Sequence, residues 1–214
     1  MPGDWIVTSN SDDRSPASER VPNAIDNSVL TKYLNFGNDT DQAAPFVGPV
    51  GLTVKPSAGA SVVTGLAFTS ANDAPERDPA AYKLEGSNDG ATFTLISEGP
   101  VGAFSARFIR QEIPFANTAA YTTYRLSIPN VANNATANSM QFAEVELLGI
   151  VVAPKFTAIT HNADGSVTVQ WKSGGTLQAA PSLAGPWQDV PEATSPYTFK
   201  PAETGPVLFG RIKK

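Results

Sequence analysis

The chain has 214 residues and no cysteine, with 16% charged residues and a formal net charge of −5. Its sequence pI of about 4.9 argues against nucleic acid as a partner, because a phosphate backbone is bound mainly through basic clusters. The lack of cysteine excludes disulfides, thiolate metal sites and cysteine nucleophiles. The length is enough for one large domain or two smaller ones.

The first residues give little sign of a targeting segment. No apolar run approaches the roughly 20 residues that cross a bilayer. The start, "MPGDWIVTSNSDDRSP", lacks the basic segment and the apolar core of a signal peptide. Two expectations remain open: a protein that stays inside the cell, or a mature fragment whose leader has been removed.

Short alternating runs recur up to residue 150, and no long stretch has the apolar repeat of a helix. Only residues 132–141 suggest a short helical turn. The segment "GSNDGATF" predicts a hairpin turn, because Asn and Gly tolerate positive φ angles. The many short strands predict an antiparallel β-sandwich. The predicted strands are 51–57, 61–70, 80–87, 91–98, 106–115, 121–128 and 143–150.

The strand pattern breaks at "IVVAPKF", where Pro154 follows a completed strand. We therefore predict a first domain over residues 1–153 and a second over residues 154–214. About 60 residues is near the lower limit for independent folding, so the second domain is expected to lean on the first. Further short strands are predicted around four aromatic residues, Trp171, Trp187, Tyr197 and Phe209.

Three segments carry a resemblance to a known family. They are "NAIDNSVLTKYLNFG", "TSANDAPERDPAAYKLEGSNDGATFTLI" and "YRLSIPNVANNATANSMQFAEVELLG". Together they resemble the discoidin, or coagulation-factor C-type, galactose-binding-like domains, and bacterial carbohydrate-binding modules most closely. The resemblance covers about residues 5 to 150 and implies an eight-stranded jelly-roll β-sandwich. Asn27 stands where relatives usually carry Gly, and Asn also accepts a left-handed backbone.

The last 60 residues resemble something different. "GGTLQAAPSLAGPWQDVPEATSPYTF" is similar to a small immunoglobulin-like or fibronectin-like module. Such modules commonly act as spacers, so no functional site is carried over from this resemblance.

The family resemblance implies a structural calcium ion that ties an early loop to the last strand. Calcium takes 6–8 oxygen ligands, and a chain with one histidine and no cysteine is poorly equipped for softer metals. The alternative is that Asp26 and Asn27 cap an ordinary turn while Glu144 is exposed. The ligands implied by the resemblance are the side chains of Asp26, Thr31 and Glu144 and the carbonyls of Asn23, Ser28 and Ala143.

A second group of polar residues lies in the segment 70–82, "SANDAPERDPAAY". Planar polar groups such as Arg, Asn and Asp recognise sugar hydroxyls, usually beside an aromatic face. The alternative is a brace, in which Arg77 pairs with Asp73 or Asp78. Phe46 is either a stacking platform or a core residue. The candidate carbohydrate-binding residues are Asn72, Asp73, Arg77, Asp78 and Phe46, with Asn130, Asn133 and Asn134 approaching from another loop.

The sequence favours a binding protein over an enzyme. The single histidine, His161, lies far along the chain, which argues against a Ser-His-Asp site. Relatives that bind galactose often use a histidine in the first domain, and this chain has none there, so the resemblance itself puts galactose in doubt. Acid pairs such as Asp12–Asp13 or Glu76–Asp78 could suggest a glycosidase, but adjacent acids on polar loops are usually just solvated.

We therefore expect a non-catalytic carbohydrate-binding module, monomeric and part of a larger secreted or surface bacterial protein. The alternative is a structural or adhesive surface module that binds protein rather than glycan.

Overall fold

The computed structural model describes residues 3–8, 14–38, 41–200 and 208–213. In this part of the chain the regular structure is β-strand, apart from two short 3-10 helices at Val21–Ile25 and Pro75–Arg77. None of the described helices has the length and apolar character needed to cross a membrane. The chain divides into two compact units, Met1–Ser57 with Ser61–Ile150 and Ala58–Ala60 with Val151–Lys214. Independent folding of residues 1–153 stays a prediction.

The first unit is built from three antiparallel sheets. One has five strands in the order β1-β3-β8-β5-β6, one has three in the order β10-β4-β7, and β2 pairs with β9. The strands are β1 (Trp5–Thr8), β2 (Tyr33–Asn35), β3 (Val50–Lys55), β4 (Ser61–Thr69), β5 (Ala81–Ser87), β6 (Thr94–Pro100), β7 (Arg110–Pro114), β8 (Thr123–Ile128), β9 (Met140–Phe142) and β10 (Glu144–Val151).

One hydrophobic core joins these sheets. Leu52 and Leu84 of the five-stranded sheet belong to the same buried cluster as Phe68 of the three-stranded sheet. The rings of Tyr33 and Phe68 each meet Phe142 edge to face, with centroid distances of 5.7 and 5.5 Å. Alternate residues of a strand face one side of its sheet, so the period-two sequence pattern produces this core. The predicted all-β sandwich is confirmed.

Some predicted elements differ from the structure. The short strands β1 and β9 were not predicted as strands. The short helical turn expected at 132–141 is limited to a turn over residues 132–136, in which the N–H of Ala137 donates to the Asn133 carbonyl at 2.9 Å, and Met140 begins β9. The predicted strand at 106–115 begins only at Arg110, which leaves residues 106–109 in a loop.

The second unit contains two three-stranded sheets, in the orders β11-β12-β15 and β14-β13-β16. Val169, Trp171 and Leu177 form its buried centre. Two small sheets around one tryptophan-containing core agree with the immunoglobulin-like architecture expected from the sequence. The strands are β11 (Lys155–His161), β12 (Val167–Lys172), β13 (Thr176–Ala180), β14 (Gln188–Asp189), β15 (Tyr197–Phe199) and β16 (Phe209–Lys213).

Strand register places four loops of the first unit at the same end of the sandwich. Each of these loops begins or ends at a strand terminus that is paired with the terminus of a neighbouring strand. We call residues 41–49, 70–80, 101–109 and 129–139 the loop end. The register pairs that define it are Thr69 with Arg110, Ala81 with Pro100, Val50 with Ile128 and Asn35 with Met140.

Candidate functional site

The early loop and the start of β10 meet through hydrogen bonds. The backbone N–H of Ser28 donates to Asp26 Oδ1 at 2.8 Å and to Glu144 Oε1 at 3.0 Å. The hydroxyl of Thr31 donates to Asp26 Oδ2 at 2.7 Å and to the Ser28 carbonyl at 2.9 Å. Residues 116 positions apart are thus joined in one cluster of oxygens, which we call the clasp: residues 26–31 and Glu144.

The clasp has an electrostatic imbalance. Glu144 is buried, and this burial, together with the neighbouring carboxyl group of Asp26, raises the pKa of Glu144 to about 7. Hydrogen bonds from the N–H groups of Ser28 and Asn27 only partly offset the rise. Two carboxyl groups that share a site disfavour double ionisation unless a positive charge lies between them. A cation would relieve this imbalance.

The other predicted ligands lie around the clasp. Asn23 uses its side-chain N–H group to hold the carbonyls of Ser18 and Lys32, at 2.8 and 3.0 Å, and so fixes the base of the loop. Asn27 has a φ angle of 62°, the left-handed conformation predicted for it. Ala143 is fully buried beside Glu144, and its N–H group donates to the Thr69 carbonyl at 2.8 Å.

Among the described residues, no group of three or more His, Cys, Asp or Glu side chains is arranged to hold a metal ion. An ion at the clasp would therefore depend on two carboxylates plus hydroxyl and carbonyl oxygens. Such a mixed set of hard oxygen donors is compatible with calcium and unsuited to softer metals.

A hydrogen-bond network around Lys32, which directly follows the clasp residues 26–31, reaches the loop 70–80. The ammonium group of this buried lysine donates to Asp73 Oδ1 at 2.8 Å and to Gln141 Oε1 at 3.0 Å. Gln141 returns two bonds to Asp73, one to its carbonyl at 2.6 Å and one to Oδ1 at 2.9 Å. Burial raises the pKa of Asp73, but the bonds from Lys32 and Gln141 outweigh it and leave the pKa lowered.

A second brace joins Asp78 to the loop 101–109. Arg107 makes a bidentate pair with the buried Asp78 carboxylate, at 2.8 and 2.5 Å, and also donates to the Asp73 carbonyl at 3.2 Å. Burial raises the pKa of Asp78 despite this pair, while the bond to Asp78 raises the pKa of Arg107. The loop is braced as the alternative sequence interpretation supposed, but by Lys32 and Arg107 instead of Arg77.

This arrangement corrects one predicted sugar contact. Asp78 is only 4% exposed and both of its carboxylate oxygens accept bonds from Arg107, so it is not available to a ligand. The acid pair Glu76–Asp78 cannot act as two free carboxylates for the same reason. The other acid pair, Asp12–Asp13, lies outside the described residues.

Asn72 and Arg77 remain at the surface of the braced loop. Asn72 is exposed, and Arg77 is partly buried. The Nε atom of Arg77 is buried without a hydrogen-bond partner in the described structure. A buried donor without a partner costs free energy, so the Nε atom of Arg77 does not help to brace the loop.

Phe46 is the second correction. It is 3% exposed and belongs to the hydrophobic core of the first unit, so it cannot serve as a stacking platform. Its N–H group donates to the carbonyl of Asn134 at 2.8 Å, which anchors the loop 41–49 to the loop 129–139. Phe46 is therefore a structural residue.

Two of the three asparagines predicted to approach the loop 70–80, Asn130 and Asn133, contact it, and they do so through the backbone. The N–H of Asn133 donates to the Glu76 carbonyl at 3.0 Å, and the carbonyl of Asn130 accepts from Ala80 at 3.1 Å. The side-chain oxygen of Asn134 accepts from Val131 at 2.7 Å, within its own loop. Sequence reasoning missed the bracing residues Lys32, Gln141 and Arg107, because each is separated from its partner by many residues.

Comparison with known proteins finds relatives by structure alone. No protein-family model matches the chain, and no curated protein does either.

Three solved structures resemble it. A CBM32 domain of Clostridium perfringens in complex with GalNAc-β-1,3-galactose has 17% identity and a TM-score of 0.52, covering 66% of this chain and 92% of its own. The family 32 carbohydrate-binding module of C. perfringens NanJ in complex with galactose has 14% identity and a TM-score of 0.51, covering 66% and 90%. An F5/8 type C domain of Bacteroides fragilis has 15% identity and a TM-score of 0.53, covering 68% and 90%.

The structural likeness establishes the fold. Its share of the chain, about two thirds, is close to the size of the first unit. The chain therefore has the discoidin-like β-sandwich fold that the sequence segments resemble. At identities of 14 to 17%, this likeness does not transfer any ligand.

Proposed function

We propose that the chain is a non-catalytic carbohydrate-binding module that binds glycan at the loop end of its first unit. The observation that carries this proposal is the braced loop 70–80, which holds the exposed Asn72 and the partly buried Arg77 on a fixed backbone. Support comes from two structural neighbours with the same fold, whose structures hold galactose and GalNAc-β-1,3-galactose. Polar groups fixed on a rigid loop recognise hydroxyls at a small entropic cost.

The division of labour within the loop supports this site. Asp73 and Asp78 are paired with Lys32 and Arg107 and so fix the loop, while the Asp73 side chain stays 52% exposed and accessible to a ligand. The fork of Arg77 can donate to two adjacent hydroxyls, a geometry that a sugar ring offers and that a lysine cannot match. Binding is expected to be weak, because each hydrogen bond to a sugar replaces one to water.

We also propose that the clasp holds a structural calcium ion. The carboxyl groups of Asp26 and Glu144, the hydroxyl of Thr31 and the carbonyl of Ser28 would supply oxygens, with the carbonyls of Asn23 and Ala143 completing the set. The raised pKa of Glu144, caused by burial and by the neighbouring carboxyl group of Asp26, supports the proposal, because a cation would favour ionisation of both acids. The ion would neutralise this charge and fasten the early loop to β10.

We further propose that the module belongs to a larger secreted or surface bacterial protein. Its structural neighbours include domains from Clostridium perfringens and Bacteroides fragilis, some of them parts of glycoside hydrolases. In that setting the module would hold its parent protein on a glycan while the second unit acts as a spacer.

A glycan array tests the proposed function directly. The full chain, in calcium-containing buffer, is applied to an array that includes galactose and GalNAc-β-1,3-galactose, and hits are measured again by calorimetry. The proposal expects at least one glycan with a dissociation constant between about 10 micromolar and a few millimolar. Binding to no glycan, with capture of a purified surface protein instead, would favour the adhesive alternative.

A further inference from the structure

Phe108 is an exposed aromatic residue at the loop end that sequence analysis does not single out. Its side chain is 44% exposed, and the following Ile109 is 40% exposed. The preceding Arg107 holds Asp78 and the carbonyl of Asp73, so Phe108 directly follows the residue that binds the loop 70–80. Phe108 is thus an aromatic residue in a loop that is hydrogen-bonded to the loop carrying Asn72 and Arg77.

The backbone of Phe108 is strained. Its φ angle is 62°, in the left-handed region that a bulky side chain rarely adopts. The other described non-glycine residues with positive φ are small or polar: Asn27, Gln42, Ala74, Ser173 and Glu192. A strained conformation of this kind persists only where the surrounding structure enforces it, and such residues cluster at ligand sites.

A single buried serine enforces the strain. Ser70 donates its N–H to the Ile109 carbonyl at 3.0 Å and its carbonyl accepts from Phe108 at 3.2 Å. Its hydroxyl donates to the Ala106 carbonyl and accepts from Ile109, both at 3.0 Å. Four hydrogen bonds thus fix residues 106–109, and Phe108 remains 44% exposed.

Core packing does not compensate for this strain, because Phe108 is 44% exposed and does not belong to the buried core. We propose that Phe108 is the platform on which the C–H face of a sugar ring stacks, with Asn72 and Arg77 at its side to bind hydroxyls. This inference rests on the proposed carbohydrate-binding function. Aromatic faces beside a few fixed polar groups are the usual composition of small-ligand sites.

The surroundings favour a sugar over a protein surface as the occupant. The exposed hydrophobic residues of the loop 101–109 are Phe108 and Ile109, and the loop 70–80, to which it is hydrogen-bonded, carries the polar side chains of Asn72, Glu76 and Arg77. A stable protein interface buries about 800 Å² on each partner, far more than two apolar side chains supply. An aromatic ring with hydrogen-bonding groups nearby matches a pyranose, which offers a C–H face for stacking and hydroxyl groups for hydrogen bonds.

The test compares Phe108→Gly with Phe108→Tyr. Glycine removes the ring and also adopts positive φ without strain, so Phe108→Gly should melt no earlier than the wild type. On the array that includes galactose and GalNAc-β-1,3-galactose, it should lose at least about tenfold in affinity for every glycan that the wild type binds. Phe108→Tyr keeps the ring face and should stay within about threefold of the wild type. Glu192→Gly, at another exposed residue with a positive φ angle, is the matched control and should bind normally.

The outcomes separate this inference from the proposed function. If the wild type binds a glycan and Phe108→Gly binds it equally well, Phe108 is not the platform, while the carbohydrate-binding function stands. An earlier melting transition of Phe108→Gly would also overturn the inference, because the ring would then be a packing residue. If the wild type binds no glycan, both proposals fall.

Discussion

The clasp and the loop 70–80 both contain acidic residues, but the negative charge of their carboxylates is balanced in different ways. In the loop, each carboxylate has its own base: Asp73 is paired with Lys32 and Asp78 with Arg107. In the clasp, Asp26 and Glu144 face one another, and the pKa of Glu144 rises to about 7. The loop carboxylates are thus paired within the chain, whereas the two clasp carboxyl groups have only one another, and it is at the clasp that we propose a cation.

The comparison also tells where a ligand can act. A carboxylate that is both paired and buried, as in Asp78, stiffens its loop and has nothing left for a sugar. Side chains of the loop that form no ion pair in the described structure, such as Arg77, are better candidates for recognition. Substitutions and calcium removal that disrupt the loop and the clasp separately test this interpretation. They are given in order of decreasing expected effect on stability.

Removal of the base at position 107 should have the largest effect. Arg107→Met leaves the buried Asp78 carboxylate without a partner, which typically costs about 3–5 kcal/mol in the free energy of unfolding. Thermal and urea unfolding would measure the loss, expected as a fall in Tm of about 10 °C.

Arg110→Met is the matched control for this change. Arg110 pairs with Glu146 and Glu112, but all three side chains are exposed, so its loss should cost no more than about 1 kcal/mol. Equal destabilisation by both variants would show that the Asp78 pair is no more important than a surface pair.

Calcium removal should have the next largest effect. An ion present at about 100 times its Kd stabilises the folded protein by about 2.7 kcal/mol, so a chelator should lower Tm by several degrees. Asp26→Ala and Glu144→Ala should melt early and lose the response to chelator. Glu98→Ala, at an exposed carboxylate on β6, should keep the response. A wild-type melting curve that does not respond, in a protein that metal analysis shows to contain no calcium, would exclude the ion.

Much of the first unit's fold could be predicted from the sequence. The alternating runs located seven strands, because side chains of a half-buried strand alternate between core and solvent. The strands β1 and β9 escaped detection because they are short and have little alternation of their own. They are strands because neighbours pair with them, which is tertiary information: Trp5 lies opposite Lys55, and Met140 lies opposite Asn35.

The sequence led to the residues of the clasp but misjudged or missed residues of the candidate sugar site. The motif segments led to Asp26, Ser28, Thr31 and Glu144, which the structure does bring together. Phe46 was misjudged because a loop phenylalanine in the core has the same local sequence signal as an exposed one. Phe108 was overlooked because "ARFIRQEIPF" alternates like a strand from residue 106, whereas the strand begins at Arg110.

The pH dependence of the calcium-free protein should show a smaller effect. Glu144 has an ordinary pKa of 4.5 and a folded pKa of about 7, so the folded protein binds this proton more tightly than the unfolded chain does. The resulting stabilisation is present below about pH 4.5 and is lost as pH rises towards 7. In chelator, Tm should therefore fall between pH 5 and pH 8, by the equivalent of roughly 1–3 kcal/mol.

Two comparisons identify the group responsible. Glu144→Gln should flatten this part of the pH profile, which separates Glu144 from Asp78, whose pKa is also raised by burial. Saturating calcium should flatten it in the wild type, since the ion favours the ionised carboxylate. A slope that persists in Glu144→Gln would assign the titration to another residue.

The smallest effect on stability is expected at Arg77, where the whole consequence should fall on binding. In the described structure Arg77 forms no ion pair, and its Nε atom has no hydrogen-bond partner, so little stabilisation is lost with its side chain. Arg77→Ala and Arg77→Lys should melt within about 2 °C of the wild type. Both should lose at least about tenfold in glycan affinity, measured by calorimetry, because a lysine cannot reproduce the guanidinium fork.

The lysine variant makes this last test decisive for the comparison between the two regions. It keeps the positive charge, so any role of Arg77 that depends only on charge near Asp73 would survive in it, and only a geometric role would be lost. If both variants unfold early, Arg77 braces the loop like Lys32 and Arg107. The distinction between side chains that are held in ion pairs and side chains that are available to a ligand then fails. If both fold well and bind the same glycan as before, recognition lies elsewhere on the loop end, and Phe108 and Asn72 become the residues to change next.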